Sequence, residues 1–143
     1  EYLITKPFMN DELVFIIGQN HPLADKEITL EDLTKLRFFV RETGSGTREL
    51  FEQVMHRHNI YYQTAGIYNS MEAIKKAVIS GLGVSVISTE AIKDELKEGK
   101  LKTFTMPELV FKRQFNIVYH KNKFIPPEMQ EVIDECLQLS SNK

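Results

Sequence analysis

The sequence lacks the features that mark secreted, membrane-spanning and nucleic-acid-binding chains. Its single cysteine, Cys136, cannot form an intrachain disulfide, which favours a reducing compartment, the cytoplasm, and a buried thiol on a C-terminal helix. The longest apolar runs, such as residues 13–17 and 84–87, are far shorter than the roughly 20 residues that cross a bilayer. A formal charge of −2 and a pI of about 6.1 argue against a basic DNA-binding face on this chain.

Motifs for catalysis and nucleotide binding are also missing. The four histidines show neither the H-E-x-x-H pattern nor a cysteine–histidine metal spacing. Ser45 stands in G-S-G rather than in the G-x-S-x-G of hydrolases. The glycines around it match neither a P-loop nor a dinucleotide fingerprint. We therefore expect no enzymatic activity, no metal and no cofactor.

The patterns that are present predict a folded α/β protein. A chain of 143 residues, 42% hydrophobic and 27% charged, is long enough for one domain or for two small lobes. Short β-rich runs alternate with amphipathic helical patterns, which predicts a largely parallel sheet with ligands at the carboxyl ends of its strands. Pro7 and Pro107 interrupt extended patterns, so residues 5–10 and 106–112 are interpreted as connections between lobes. Because the chain starts directly in a strand-like run, we expect it to be a fragment.

Several helix starts are indicated by local signals. Thr29 followed by Asp32 predicts a capping box and a short helix. Ser70 is a predicted N-cap, and Thr89 is predicted to cap a helix over residues 91–96. Pro126 begins a predicted last helix that carries Cys136.

The segment from Glu42 to Arg48 lies between a predicted strand and a predicted helix. It has two glycines, three hydroxyl side chains and an arginine. Unpaired N–H groups and the positive dipole end make a helix start favourable for an anion, and glycine lets a ligand approach the backbone. The alternative is that Ser45 or Thr47 only caps the helix. Asn69-Ser70 follows another strand, and two helix starts at one sheet edge would reinforce each other.

A series of motifs runs along most of the chain in a recognisable order. The motifs are Asp11-Glu12-Leu13-Val14, His21-Pro22-Leu23-Ala24, Ile28-Thr29-Leu30-Glu31-Asp32-Leu33, the glycine turn ending in Arg48, Ser70-Met71-Glu72-Ala73-Ile74 and Val78-Ile79-Ser80-Gly81-Leu82-Gly83-Val84. The series resembles the effector-binding domain of LysR-type transcriptional regulators.

This resemblance implies an α/β fold similar to that of type 2 periplasmic binding proteins. Two Rossmann-like subdomains would be joined at hinges near residues 5–10 and 104–108, with a small effector in the cleft. The chain would be a C-terminal fragment, with residues 11–105 as the second subdomain and residues 1–10 and 106–143 as part of the first. The family implies a homodimer or homotetramer that contacts DNA only through a helix-turn-helix domain absent from this chain. The rival interpretations are an extracytoplasmic solute-binding protein of a transporter and an enzyme on the same scaffold.

The resemblance also implies a set of ligand-binding residues. These are Pro7, Phe8, Glu42, Thr43, Gly44, Ser45 and Ser70. The effector is expected to be anionic or zwitterionic. A carboxylate that faces an anion is unfavourable unless a cation compensates it, so Glu42 is either paired with Arg41 or Arg48, bound to the ammonium group of a zwitterion, or directed away. Ser88 stands where the family often has proline.

Overall fold

The computed structural model describes residues 3–120 and residue 134, with side chains described over residues 10–114 and at 134. Cys136 and the helix predicted from Pro126 lie outside the described residues. In chain order the elements are β1 (Leu3–Gly18), α1 (Leu30–Lys35), β2 (Arg37–Arg41), α2 (Gly46–Arg57), β3 (Gln63–Tyr68), α3 (Met71–Ile79), β4 (Val84–Ser88), a 3-10 helix (Thr89–Ile92), α4 (Lys93–Lys97), β5 (Leu101–Phe104) and β6 (Phe111–His120).

The chain divides into two compact units. The first contains Glu1–Glu12 and Lys112–Lys143, and the second is Leu13–Phe111. In the first unit the buried carboxylate of Asp11, 3% exposed, accepts from both Nε and Nη2 of Arg113 at 3.0 Å on one oxygen, Oδ2. This charged pair links β1 to β6, because each residue lies on one of those strands.

The sheet is mixed rather than largely parallel. Its strand order is β3-β2-β4-β1-β5, and β6 pairs with β1. β2 is parallel to β3 and β4, as predicted, but β1 is antiparallel to both β4 and β5. The prediction was wrong for β1 because apolar periodicity reports which faces of a strand are buried, and antiparallel neighbours satisfy its backbone equally well.

The apolar run of β1 is buried on both faces of the sheet. Phe15 belongs to a cluster with Phe38 on β2 and Phe51 on α2, whereas Ile16 packs with Phe39 and the α3 residue Val78. Successive residues of a strand point to opposite faces, so one run of five apolar residues supplies both cores. The sheet is therefore covered by α2 on one side and by α3 on the other.

Local signals explain the helix starts, with one correction. The capping box of α1 is confirmed: the Asp32 amide donates to Thr29 Oγ1 at 3.2 Å, and the Thr29 amide donates to Asp32 Oδ2 at 2.9 Å. Thr89 is not a cap. Ser88 Oγ accepts from the Glu90 amide at 3.3 Å, and α4 begins later without a side-chain cap. The chain enters a tight 3-10 turn first, so the hydroxyl one residue earlier reaches the free amide.

The predicted interruption at Pro7 is also absent from the described backbone. β1 is continuous from Leu3 to Gly18, because the fixed φ of proline suits an extended chain and only its N–H is lost. Near Pro107 the chain makes a turn in which the Leu109 amide donates to the Met106 carbonyl at 3.0 Å, and β6 then begins.

Candidate ligand-binding site

Two parallel strands end level at one edge of the sheet. Arg41, the last residue of β2, is paired with Tyr68, the last residue of β3. The turn of residues 42–45 and the Asn69-Ser70 step therefore leave the sheet side by side. β4 is parallel to β2, so Ser88 ends at the same edge.

The turn before α2 depends on a glycine and a serine. Gly44 has a φ of +96°, a backbone conformation that disfavours other residues, and no atom lies within 4 Å of where a Cβ would stand. The Ser45 amide donates to the Glu42 carbonyl at 3.2 Å, and Ser45 Oγ accepts from the Arg48 amide at 3.5 Å. Ser45 therefore caps α2.

The start of α3 is capped more simply. Ser70 Oγ accepts from the Ala73 amide at 3.3 Å. The amide of Ile74 donates to the Ser70 carbonyl at 3.2 Å and begins the helical ladder. The N-cap predicted at Ser70 is thus confirmed.

Farther along α3, Lys75 connects this helix to the segment after β4. Its side chain is 8% exposed, and its Nζ donates to Glu72 Oε1 at 2.9 Å, Glu95 Oε2 at 3.0 Å and the Ala91 carbonyl at 3.0 Å. Burial acts to lower the pKa of Lys75, but the two carboxylates outweigh it and raise that pKa above its usual value. The hydrogen bond from Lys75 lowers the pKa of Glu95.

Glu42 is paired with its neighbour in the chain. The Nε and Nη2 atoms of Arg41 both donate to Glu42 Oε1, at 3.0 and 2.8 Å. The sequence leaves open whether Glu42 is compensated by an arginine, binds an ammonium group or points away. The contact in the structure is with Arg41, which compensates its charge.

Arg48 braces the same turn from α2. Its Nη1 donates to the Arg41 carbonyl at 3.1 Å and to Thr43 Oγ1 at 3.4 Å, while its Nε donates to Glu52 Oε1 at 3.0 Å. The same Glu52 oxygen accepts from the Tyr62 hydroxyl at 2.9 Å. Arg48 is therefore occupied in holding the turn rather than in presenting its charge to a ligand.

The ionisation of this network follows from its burial and contacts. Burial acts to raise the pKa of Glu52, but hydrogen bonds from Arg48 and Tyr62 outweigh it and lower that pKa. Burial, followed by the contact with Glu52, raises the pKa of Tyr62 to about 12. At neutral pH the network therefore has one cation, one carboxylate and a neutral phenol.

Sequence reasoning missed Glu52 and Tyr62. The spacing of four residues between Arg48 and Glu52 on a helix is a usable signal for an ion pair. Tyr62 gave no such signal, because it reaches Glu52 from the connection between α2 and β3. Its ring also packs on Phe51, with centroids 4.8 Å apart, and joins the turn to the core.

The predicted ligand-binding residues fall in both units. Glu42, Thr43, Gly44, Ser45 and Ser70 lie at the common edge in the second unit, whereas Pro7 and Phe8 lie on β1 in the first unit and their side chains are outside the described part. Over the side chains that are described, no three metal-ligating residues form a group that would hold an ion. None of the helices described is long and apolar enough to cross a membrane.

This architecture is shared by solved structures of regulatory domains. The regulatory domain of Synechocystis CcmR, solved in complex with 2-PG, matches with a TM-score of 0.85 and 31% identity, covering 98% of this chain and 68% of that one. The effector-binding domain of QuiR, in complex with shikimate, matches with a TM-score of 0.80; at 23% identity it supports the fold alone. The fold is thus the α/β, type 2 periplasmic-binding-protein-like class, of which this chain covers a part.

The chain belongs to the LysR substrate binding domain family, whose model matches residues 1–141. It is 34% identical over 134 residues to the HTH-type transcriptional regulator YeiE of Escherichia coli, covering 94% of this chain and 46% of YeiE. It is 30% identical over 141 residues to the RuBisCO operon transcriptional regulator of Acidithiobacillus ferrooxidans, with 98% and 46% coverage. The chain spans about half the length of these curated relatives, which are named as transcriptional regulators.

Proposed function

We propose that this chain senses a small anionic effector for a LysR-type transcriptional regulator, without catalysing a reaction. The observation that carries the proposal is the level ending of β2 and β3, which brings the starts of α2 and α3 to one sheet edge. The proposed contacts in the second unit are Thr43, Gly44, Ser45 and Ser70, and Glu42 is proposed to influence the ligand through its negative charge. The proposed contacts in the first unit are Pro7 and Phe8.

Helix geometry supports an anion at this edge. The first amides of a helix have no partner within it, and the aligned peptide dipoles place a positive end there. α2 has 12 residues and α3 has nine, long enough for both effects. The open space around Gly44 allows a ligand oxygen to approach the backbone. The compound in the CcmR structure, 2-PG, makes a rational first probe because that domain is 31% identical to this chain.

The charge at the edge favours an anion over a zwitterion. An ammonium group would need Glu42, whose Oε1 is already shared by two N–H groups of Arg41. Such a ligand competes with Arg41 for Glu42 and lies beside a guanidinium that repels its positive charge. An anion gains from the same guanidinium once it displaces Glu42 from it.

A thermal-stability titration of the full-length protein tests this function. The probes are 2-PG, inorganic phosphate, shikimate and a set of amino acids. A bound effector at 100 times its Kd stabilises the native state by about 2.7 kcal/mol, so the melting temperature should rise with an anion and not with the amino acids. If no anion raises the melting temperature, or if the rise persists with Ser45→Ala and Ser70→Ala combined, the proposed site is wrong.

The assembly of the whole protein is a separate proposal. We propose a cytoplasmic homodimer or homotetramer that reaches DNA through a helix-turn-helix domain outside this sequence; the name of YeiE, an HTH-type transcriptional regulator, supports the DNA-binding part of this proposal. Sedimentation velocity and DNase footprinting of the full-length protein test it. A monomer that leaves DNA unprotected would refute this arrangement.

A further inference from the structure

We infer that Arg41 is the cationic contact for the effector's anionic group, and that Glu42 is an intramolecular competitor for it. The inference rests on the proposed function and names the side chain that would meet the ligand's charge. Glu42 then reduces apparent affinity instead of contributing to it.

The geometry of the pair is the geometry of anion recognition. Arg41 presents Nε and Nη2, the two parallel donors on one edge of the guanidinium, and both point at a single carboxylate oxygen at 3.0 and 2.8 Å. This edge of arginine matches a carboxylate or a phosphate, each of which offers two acceptor oxygens. Glu42 uses only Oε1 for both donors, so a ligand with two oxygens makes the better bidentate contact.

The location of Arg41 matches the proposed site. Arg41 is the last residue of β2 and stands opposite Tyr68, directly before the Asn69-Ser70 step. It follows Phe39 by two residues and so shares the strand face that packs on α3, where Phe39 is grouped with Val78. A ligand at the start of α3 is therefore on the side of β2 that carries Arg41.

The number of partners distinguishes the two arginines that flank the turn. The side chains of Arg41 and Glu42 are 25% and 38% exposed, and an ion pair of this kind is easily exchanged for another anion. Arg48 is 19% exposed and already donates to Glu52, Thr43 and the Arg41 carbonyl. Removing Arg48 from its partners would release the turn, whereas removing Arg41 from Glu42 breaks one local contact.

The competition has a measurable size. If Glu42 holds Arg41 for a fraction of the time, the ligand's apparent Kd is raised in inverse proportion to the free fraction. For a partly exposed pair this factor is up to about five, and the repulsion between Glu42 and the ligand adds to it. We therefore expect Glu42→Gln to tighten anion binding by about two- to ten-fold.

The experiment is isothermal titration of the full-length protein at an ionic strength of about 0.15 M with 2-PG and with inorganic phosphate, because exposed charges farther apart than about 8 Å are then largely screened. Arg41→Gln is expected to weaken binding by about ten-fold or more, because a charged hydrogen-bond donor pair is lost. Glu49→Gln is the matched control, since Glu49 is an exposed carboxylate in the first turn of α2. It makes the same change in charge nearby and should alter the Kd by less than about two-fold.

A double variant shows whether Glu42 acts through Arg41. In the Arg41→Gln background, Glu42→Gln should tighten binding no more than Glu49→Gln does, because there is no guanidinium left to release. Arg41→Lys keeps the charge and removes the bidentate edge, so it should bind with intermediate affinity. If Arg41→Gln fails to unfold cooperatively, Arg41→Met, which also removes the charge, takes its place in the cycle.

An NMR titration separates this inference from the proposed function. Phosphate should shift the Arg41 Nε–H signal and the backbone amides of Thr43 to Ser45 and Ser70 together. Shifts of those amides without a shift of Arg41, or a Glu42→Gln protein that binds no tighter than Glu49→Gln, would overturn the inference and leave the site in place. If neither anion shifts any of these signals, the inference and the proposed site both fall.

Discussion

The starts of α2 and α3 lie at the same sheet edge, but they are stabilised in different ways. The turn before α2 is crossed by a network in which Arg48 contacts Thr43 and Glu52. Among the described residues, the side-chain contact at the start of α3 is the Ser70 cap, and a charged cluster is centred on Lys75, about one helical turn farther on. Proposed ligand contacts are thus part of the support at α2, whereas at α3 the support lies away from the proposed contact, Ser70.

This difference predicts how each turn responds to change. At α2 a ligand that contacts Thr43 or Glu42 must rearrange existing bonds, so its binding is coupled to the local fold. At α3 a ligand would bind a helix start whose position is already fixed by the contacts of Lys75 farther along the helix. Substitutions in both turns and their supports test the contrast, beginning with the largest effect.

Lys75→Met should destabilise the native state by about 2–4 kcal/mol. The methionine fills the volume of the stem but leaves Glu95 and the Ala91 carbonyl without their donor. Breaking a fully buried charge pair costs about 3–5 kcal/mol, and the cost is smaller here because the Glu95 side chain is 18% exposed. Urea unfolding measures the change. Glu72→Gln is the control, because the Glu72 side chain is 71% exposed and its loss should cost under about 1 kcal/mol.

The same cluster sets a pH dependence. The folded pKa of Glu95 is lowered, so its contribution is present above the ordinary value of 4.5 and is lost as the pH falls through the folded pKa. The folded pKa of Lys75 is raised, so its contribution is present below 10.5 and is lost as the pH rises. Stability curves of Lys75→Met should have shallower slopes at both ends, because Glu52 still contributes in acid and Tyr62 in alkali. If the variant keeps the acid slope of the wild type, Lys75 is not the group that holds Glu95.

Gly44→Ala should cost about 1–2 kcal/mol, because an alanine is strained at a φ of +96° although it meets no other atom. Gly81 is the matched control: it has a φ of +84°, equally open surroundings and a place after α3, away from the carboxyl edge. Urea unfolding should give similar losses for Gly44→Ala and Gly81→Ala, whereas phosphate titration should show weaker binding only for Gly44→Ala. Equal effects on binding would mean that the turn before α2 has no special part in the site.

Tyr62→Phe should cost about 1 kcal/mol, because Glu52 loses one of the hydrogen bonds that stabilise its charge. The pKa of Glu52 should rise in this variant. Conversely, Glu52→Gln should lower the pKa of Tyr62 from about 12, while burial keeps it above 10. Carbon-13 NMR of the tyrosine rings follows this titration. If Tyr62 titrates identically with and without Glu52, the two side chains do not interact, and Tyr62 does not connect the turn before α2 to the core.

Tyr62 also gives a high-pH test of stability. Because its folded pKa is raised, its contribution is complete below pH 10 and is lost as the pH rises toward 12. Tyr62→Phe should be less sensitive than the wild type across this interval.

The starts of α1 and α3 were predictable because their signals are local, whereas the cap predicted at Thr89 was wrong because a 3-10 turn comes first. A hydroxyl before an amphipathic run identifies Ser70 as a cap, and Thr29 with Asp32 identifies a capping box within four residues. Strand direction was not predictable in this way, since the antiparallel pairing of β1 depends on neighbours far along the chain.

The supports of the candidate site were predictable only in part. Arg48 and Glu52 are four residues apart on one helix, which is a detectable pair. Lys75 and Glu95 are 20 positions apart in the sequence and meet because the fold brings one side chain of α3 within reach of one of α4. Composition and periodicity cannot specify such a contact. The sequence therefore predicts the turns but not the long-range contacts that stabilise them.

The smallest effects distinguish the two caps directly. Ser70→Ala should cost about 0.5–1 kcal/mol, because the Ser70 cap is the contact described at the start of α3. Ser45→Ala should cost less, about 0.5 kcal/mol or below, because its cap bond is long at 3.5 Å and Arg48 also holds the turn. Both hydroxyls are proposed ligand contacts, so phosphate binding should weaken to a similar degree in the two variants. Equal losses of stability in urea unfolding would show that the network around Arg48 adds nothing to the α2 start, and the contrast between the two turns would disappear.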